Sequence, residues 1–104
     1  MQHGKLVRDR IPEIIKSSGR KPEVLVLHGD ELLSALLDKL EEETQELRSA
    51  PENQRTEELA DILEVVRALA DKLGMDMTAL EQVADSKRAE RGSFDRGLWL
   101  VRPL

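Results

Sequence analysis

The chain has no cysteine, and its only aromatic side chains are Phe94 and Trp99. Without cysteine there is no disulfide framework and no thiol chemistry. With so few aromatics there is little to stack on a nucleobase, so selectivity for a base is not legible. Positive charge is also in short supply: 16 Lys and Arg stand against 21 Asp and Glu, a net charge of −5. A general nucleic-acid binder shows the opposite balance, so no nucleic-acid polymer is expected as a partner. No apolar run approaches the length of a membrane span or a signal-peptide core. A soluble, cytoplasmic chain is expected. There is no internal repeat and no low-complexity tract.

What is present is leucine at helical spacing and a high density of charge, 36% of all residues. That combination predicts a mainly α fold with wide solvated faces. A chain of 104 residues makes one domain (1–104) with a thin core. Small helical domains often complete such a core with a copy of themselves, so a homodimer or higher homo-oligomer is expected. The expected architecture is an antiparallel helical bundle completed by dimerisation.

The chain is organised around Lys39–Asp61. Lys39-Leu40-Glu41-Glu42-Glu43-Thr44-Gln45-Glu46-Leu47 and Glu57-Glu58-Leu59-Ala60-Asp61 flank a polar break near Glu52. Each side carries an acid pair three residues apart, and residues at i and i+3 share a helical face. Glu43 and Glu46 form one pair, Glu58 and Asp61 the other. Each midpoint lies roughly 11 Å along its helix from the turn. Helices folding back antiparallel would therefore bring the pairs to one height. Leu33, Leu36, Leu40 and Leu47 mark a core stripe, and Glu43 fills the slot between Leu40 and Leu47. A carboxylate on an apolar seam is costly unless something positive meets it. Four converging carboxylates with no cysteine or histidine nearby favour Mg²⁺ or Mn²⁺ over zinc or iron. The plainer account is solvated surface charge answered at i±4, as Lys39 would answer Glu43.

The segments around this centre are read from caps and breakers. Pro12 sits where a first helical turn tolerates it, Asp9 is a candidate cap, and that helix should stop near Ser18 with Gly19 beyond. Val24-Leu25-Val26-Leu27, bounded by Pro22 and Gly29, reads as a strand, and the comparable run is Leu98-Trp99-Leu100-Val101. These predict a small two-stranded ribbon, about 23–27 with 98–101. His28 reads as solvated or capping. Asp30 is the expected N-cap of a helix running to about Ser49. The next should run from about Arg55 to Leu73 and stop at Gly74, and Asp76 should cap a last helix from about Met77 to Arg91. Lys87, Arg88 and Arg91 cluster in its final turns. They either hold phosphates against the metal site or complement the helix dipole.

These residues resemble a known family. Glu42-Glu43-x-x-Glu46 followed by Glu58-x-x-Asp61 is similar to the E-E-x-x-E…E-x-x-D signature of the MazG-like, all-α nucleoside triphosphate pyrophosphohydrolases. The opening Lys5-Leu6-Val7-Arg8-Asp9-Arg10-Ile11-Pro12-Glu13-Ile14-Ile15 and the closing Lys87-Arg88-Ala89-Glu90-Arg91-Gly92-Ser93-Phe94 resemble a small single-module branch, often labelled phosphoribosyl-ATP pyrophosphohydrolase-like. The resemblance implies Mg²⁺, or Mn²⁺, held by Glu43, Glu46, Glu58 and Asp61. It implies Glu42 as an auxiliary acid beside Glu43 in catalysis, and Lys87 and Arg91 on substrate phosphates, with Arg88, Lys5 and Arg8 as further candidates. The implied reaction is hydrolysis of a nucleoside triphosphate to a monophosphate and pyrophosphate, clearing non-standard or surplus nucleotides. Phosphoribosyl-ATP hydrolysis is the same-chemistry alternative, and a non-catalytic helical dimerisation module is the alternative of another class.

Overall fold

The computed structural model describes residues 4–103. Its order is α1 (Ile11–Ser17), α2 (Gly29–Ser49), a 3₁₀ turn (Glu52–Gln54), α3 (Arg55–Lys72) and α4 (Met77–Arg91). The fold is mainly α, and the helix limits follow the breakers in the sequence. At the end of α3, Gly74 takes φ +77°, which a side chain would resist. That conformation lets Met75 N–H donate to Ala70 O at 2.9 Å and Gly74 N–H to Asp71 O at 3.0 Å, closing the helix. Asp76 then opens α4, its Oδ1 accepting from Ala79 N–H at 2.8 Å.

Two expected caps are not used. Arg10, not Asp9, stands at the N-cap of α1, with no side-chain cap bond. In α2 the chain enters two residues earlier than a cap at Asp30 implies. Gly29 is already helical, extended His28 is the N-cap, and Asp30 lies in the first turn. There its charge still complements the positive helix end.

The packed unit is the α2–α3 hairpin, with α4 meeting α3 more sparingly. Along α2, Leu36 and Glu43 are buried and Leu33, Leu40 and Leu47 half-buried, so the expected stripe is the inward face. Across from it, α3 contributes Val65 and Ala70, both buried. That core is small. The radius of gyration is 17.6 Å, against about 13 Å for a compact chain of this length. Many large apolar side chains stay exposed, including Leu59 and Leu63 on α3 and Ile14 on α1.

The expected ribbon is not formed: no strand occurs among the described residues. Val24, Leu25 and Val26 are exposed, as are Leu98, Trp99, Leu100 and Val101. Each run is only four residues long, and an isolated pair of such strands gains too little burial to hold together in water. The apolar character that marked them as strands is left facing solvent.

Candidate metal centre

The hairpin brings acids from both helices to one place. One carboxylate oxygen from each of Glu43, Glu58 and Asp61 lies within 4.8 Å of the others. A second group at the same separation joins Glu42, Glu43 and Glu46, so Glu43 belongs to both. The mirror placement of the acids about the turn thus unites Glu43 of α2 with Glu58 and Asp61 of α3. Glu46 is exposed and converges with its own helix neighbours instead. Three residues advance a helix by a full turn less about 60°. When Glu43 faces the seam, Glu46 points to its edge.

Glu43 is the buried centre of the arrangement, with 6% of its surface exposed. Its Oε1 lies 3.4 Å from Lys39 Nζ, one turn back on α2, and Lys39 also reaches Glu42 Oε1 at 3.5 Å. Among the described residues its Oε2 has no hydrogen-bond partner, and neither does Oε2 of Glu58. Unpaired buried carboxylate oxygens are costly, at about 1–3 kcal/mol or more each. Burial pushes the Glu43 carboxyl above the usual glutamate range, the Glu46 charge adds to this, and Lys39 opposes it.

Asp61 has a partner from far along the chain. Arg8, in the segment before α1, donates from Nη2 to Asp61 Oδ1 at 2.6 Å, with both side chains about half exposed. This contact joins residues 53 apart in sequence, and no local pattern announced it. The other basic candidates, Lys5, Lys87, Arg88 and Arg91, are exposed. Among the described residues they form no ion pair with the acids.

The donor set fits a small hard cation. An ion holding oxygens at about 2.1 Å keeps its ligand atoms within about 4.2 Å of one another. The cluster's oxygens lie within 4.8 Å of one another, near that span. Among the described residues, two of its three members carry a buried oxygen without a hydrogen-bond partner. All donors are carboxylate oxygen, the chemistry of Mg²⁺ and Mn²⁺.

No family model and no solved structure matches the chain. Over 45 residues it is 58% identical to a protein of Mycolicibacterium smegmatis described as uncharacterized. The match covers 43% of this chain and 46% of that protein, so it spans about half the length of the relative.

Proposed function

We propose that the chain is a Mg²⁺-dependent nucleoside triphosphate pyrophosphohydrolase that clears non-standard or surplus nucleotides. The observation that carries this is the pair of orphaned oxygens, Glu43 Oε2 and Glu58 Oε2, in a three-carboxylate cluster at the helix seam. A surface salt-bridge network leaves no such oxygens under cover. The resemblance of the acid pattern and both terminal segments to the MazG-like hydrolases gives the cluster its reaction.

Glu43, Glu58 and Asp61 would hold the cation, with Glu46 and Glu42 beside them on the α2 edge. Magnesium, when bound, neutralises charge on the departing pyrophosphate and favours ionisation of the attacking water. Glu42, half-buried and paired with Lys39, would accept a proton from that water. Lys87, Arg88 and Arg91, with Lys5 and Arg8, are the phosphate-binding candidates. No nucleophilic serine, cysteine or histidine is required, because positioning and charge stabilisation dominate phosphoryl transfer.

The assembly is a homodimer or higher homo-oligomer. Its support is the thin core and the exposed apolar runs at 24–26 and 98–101. A non-catalytic dimerisation module keeps one observation in its favour: Lys39 and Arg8 already answer two of the acids.

The test is pyrophosphate release from a panel of nucleoside triphosphates, with phosphoribosyl-ATP included, in Mg²⁺, in Mn²⁺ and in chelator. Release should require the ion and fall at least 100-fold in Glu43→Gln and in Asp61→Asn, in keeping with loss of a ligand. Folded variants as active as the parent would rule these side chains out as ligands.

A further inference from the structure

The cluster has a cation of its own. Arg8 reaches it from the segment preceding α1 and takes Asp61 Oδ1 at 2.6 Å. Resting on the metal site proposed above, we infer that Arg8 is a displaceable counter-ion. Its guanidinium neutralises Asp61 until a divalent cation arrives and then gives that carboxylate up, so Arg8 sets the cation affinity of the site.

Three features favour displacement over a permanent tie. First, the pair is open to water, at 56% exposure for the arginine side chain and 41% for the aspartate. Exposed ion pairs hold weakly. Second, the arm has another anchor: Leu6 and Val7 are half-buried, and Arg8 O accepts from Ile11 N–H at 3.0 Å at the head of α1. The guanidinium can swing away without undocking the backbone. Third, Asp61 belongs to the cluster that would attract the ion, where Glu43 is more than nine-tenths buried and, among the described residues, one of its oxygens is unpartnered. A doubly charged ion there repels a guanidinium on Asp61, and its attraction for the carboxylates exceeds that of a singly charged side chain.

Lys39 does not share this role. Its side chain is 18% exposed and sits on the same helix as both of its partners. It travels with Glu43, whereas Arg8 comes from a different part of the chain.

The experiment titrates Mn²⁺ into the full chain and reads free Mn²⁺ by electron paramagnetic resonance, with no substrate present. Arg8→Gln should tighten binding about three- to tenfold, while Arg20→Gln, which removes the same charge from the exposed loop after α1, should leave it unchanged. In parallel, ¹⁵N spectra of the arginine side chains are followed during Mg²⁺ addition, the Arg8 signals being those missing from the variant. They should shift from ion-paired to solvent-exchanging positions as the site fills. Equal or weaker Mn²⁺ binding in Arg8→Gln, an equal gain in Arg20→Gln, or Arg8 signals unmoved at saturation would each overturn the counter-ion and leave the metal site standing. Binding by the variant alone is the strongest supporting outcome. Absence of Mn²⁺ binding in both chains removes the metal site and the counter-ion together.

Discussion

Lys39 Nζ lies 3.4 Å from Glu43 Oε1, one turn earlier on the same helix, and Glu43 Oε2 has no hydrogen-bond partner among the described residues. A purely structural buried ion pair tends to satisfy every lone pair, because breaking or half-making one is expensive. Here one oxygen is answered and the other is not, in a residue that belongs to both carboxylate groups. An ionised, buried Glu43 with one oxygen unanswered is expected to cost stability.

That sets the first prediction. In chelator, Glu43→Gln should melt a few degrees above the parent, since relieving about 1 kcal/mol shifts a domain of this size by about 4–8 °C. Lys39 keeps Glu42 at 3.5 Å as its partner. Saturating Mg²⁺ should raise the parent's melting temperature by linkage and leave the variant's unchanged. Differential scanning calorimetry with and without Mg²⁺ checks both halves. A variant that melts well below the parent in chelator would make Glu43 structural.

The pH dependence follows from the same burial. The Glu43 pKa is raised in the folded chain, so between its unfolded and folded values the native state binds more protons than the unfolded one. Its contribution to stability thus falls as pH rises through that window. In chelator, the advantage of Glu43→Gln should be largest near pH 7 and close as pH drops to about 4.3, the ordinary glutamate value. Because the ion needs the carboxylate and competes with its proton, Mg²⁺ binding should weaken over the same descent and release protons. Calorimetric titration in buffers of differing ionisation enthalpy would detect the release; identical heats would contradict it.

How much of this was legible in the sequence depends on the range over which each feature is encoded. The seam of α2 was readable because Leu33, Leu36, Leu40 and Leu47 repeat at 3–4 spacing, and the burial of Glu43 follows from its slot among them. The stop at Gly74 and the cap at Asp76 are local chemistry and were equally plain. Asp9 and Asp30 misled because capping depends on where the preceding chain enters, and that is set by Arg10 and His28. The ribbon misled because an apolar run says that a surface wants covering, not what covers it. Arg8 was readable as a basic residue near the start, but its bond to Asp61 spans 53 positions and has no period to betray it.

The uncovered runs carry their own test. Trp99 is 88% exposed in the single chain and lies among exposed Leu98, Leu100 and Val101. If copies associate through this segment, its fluorescence maximum should move to shorter wavelength as protein concentration rises. Trp99→Ser with Leu100→Ser should shift the mass in solution toward one chain, as read by sedimentation equilibrium. A maximum fixed at the solvent-exposed value, with the mass unchanged in the double variant, would place the interface elsewhere.

The last prediction separates the phosphate from the metal. Lys87 and Arg91 stand one turn apart on α4, both exposed and without acidic partners among the described residues. A cation that only completes the helix dipole contributes a few tenths of a kcal/mol to stability and nothing to substrate affinity. One that meets a phosphate loses a charge-assisted hydrogen bond when removed, worth about 1.5–3 kcal/mol, or roughly 10- to 100-fold. Lys87→Ala should therefore raise KM for the nucleotide by about that factor while leaving Mn²⁺ affinity at the parent value. Arg91→Lys should fall between parent and Arg91→Ala, because it keeps the charge and loses the planar fork. Steady-state kinetics beside a Mn²⁺ titration measures both. Loss of metal affinity in step with nucleotide affinity would mean that α4 supports the fold of the site and does not touch the substrate.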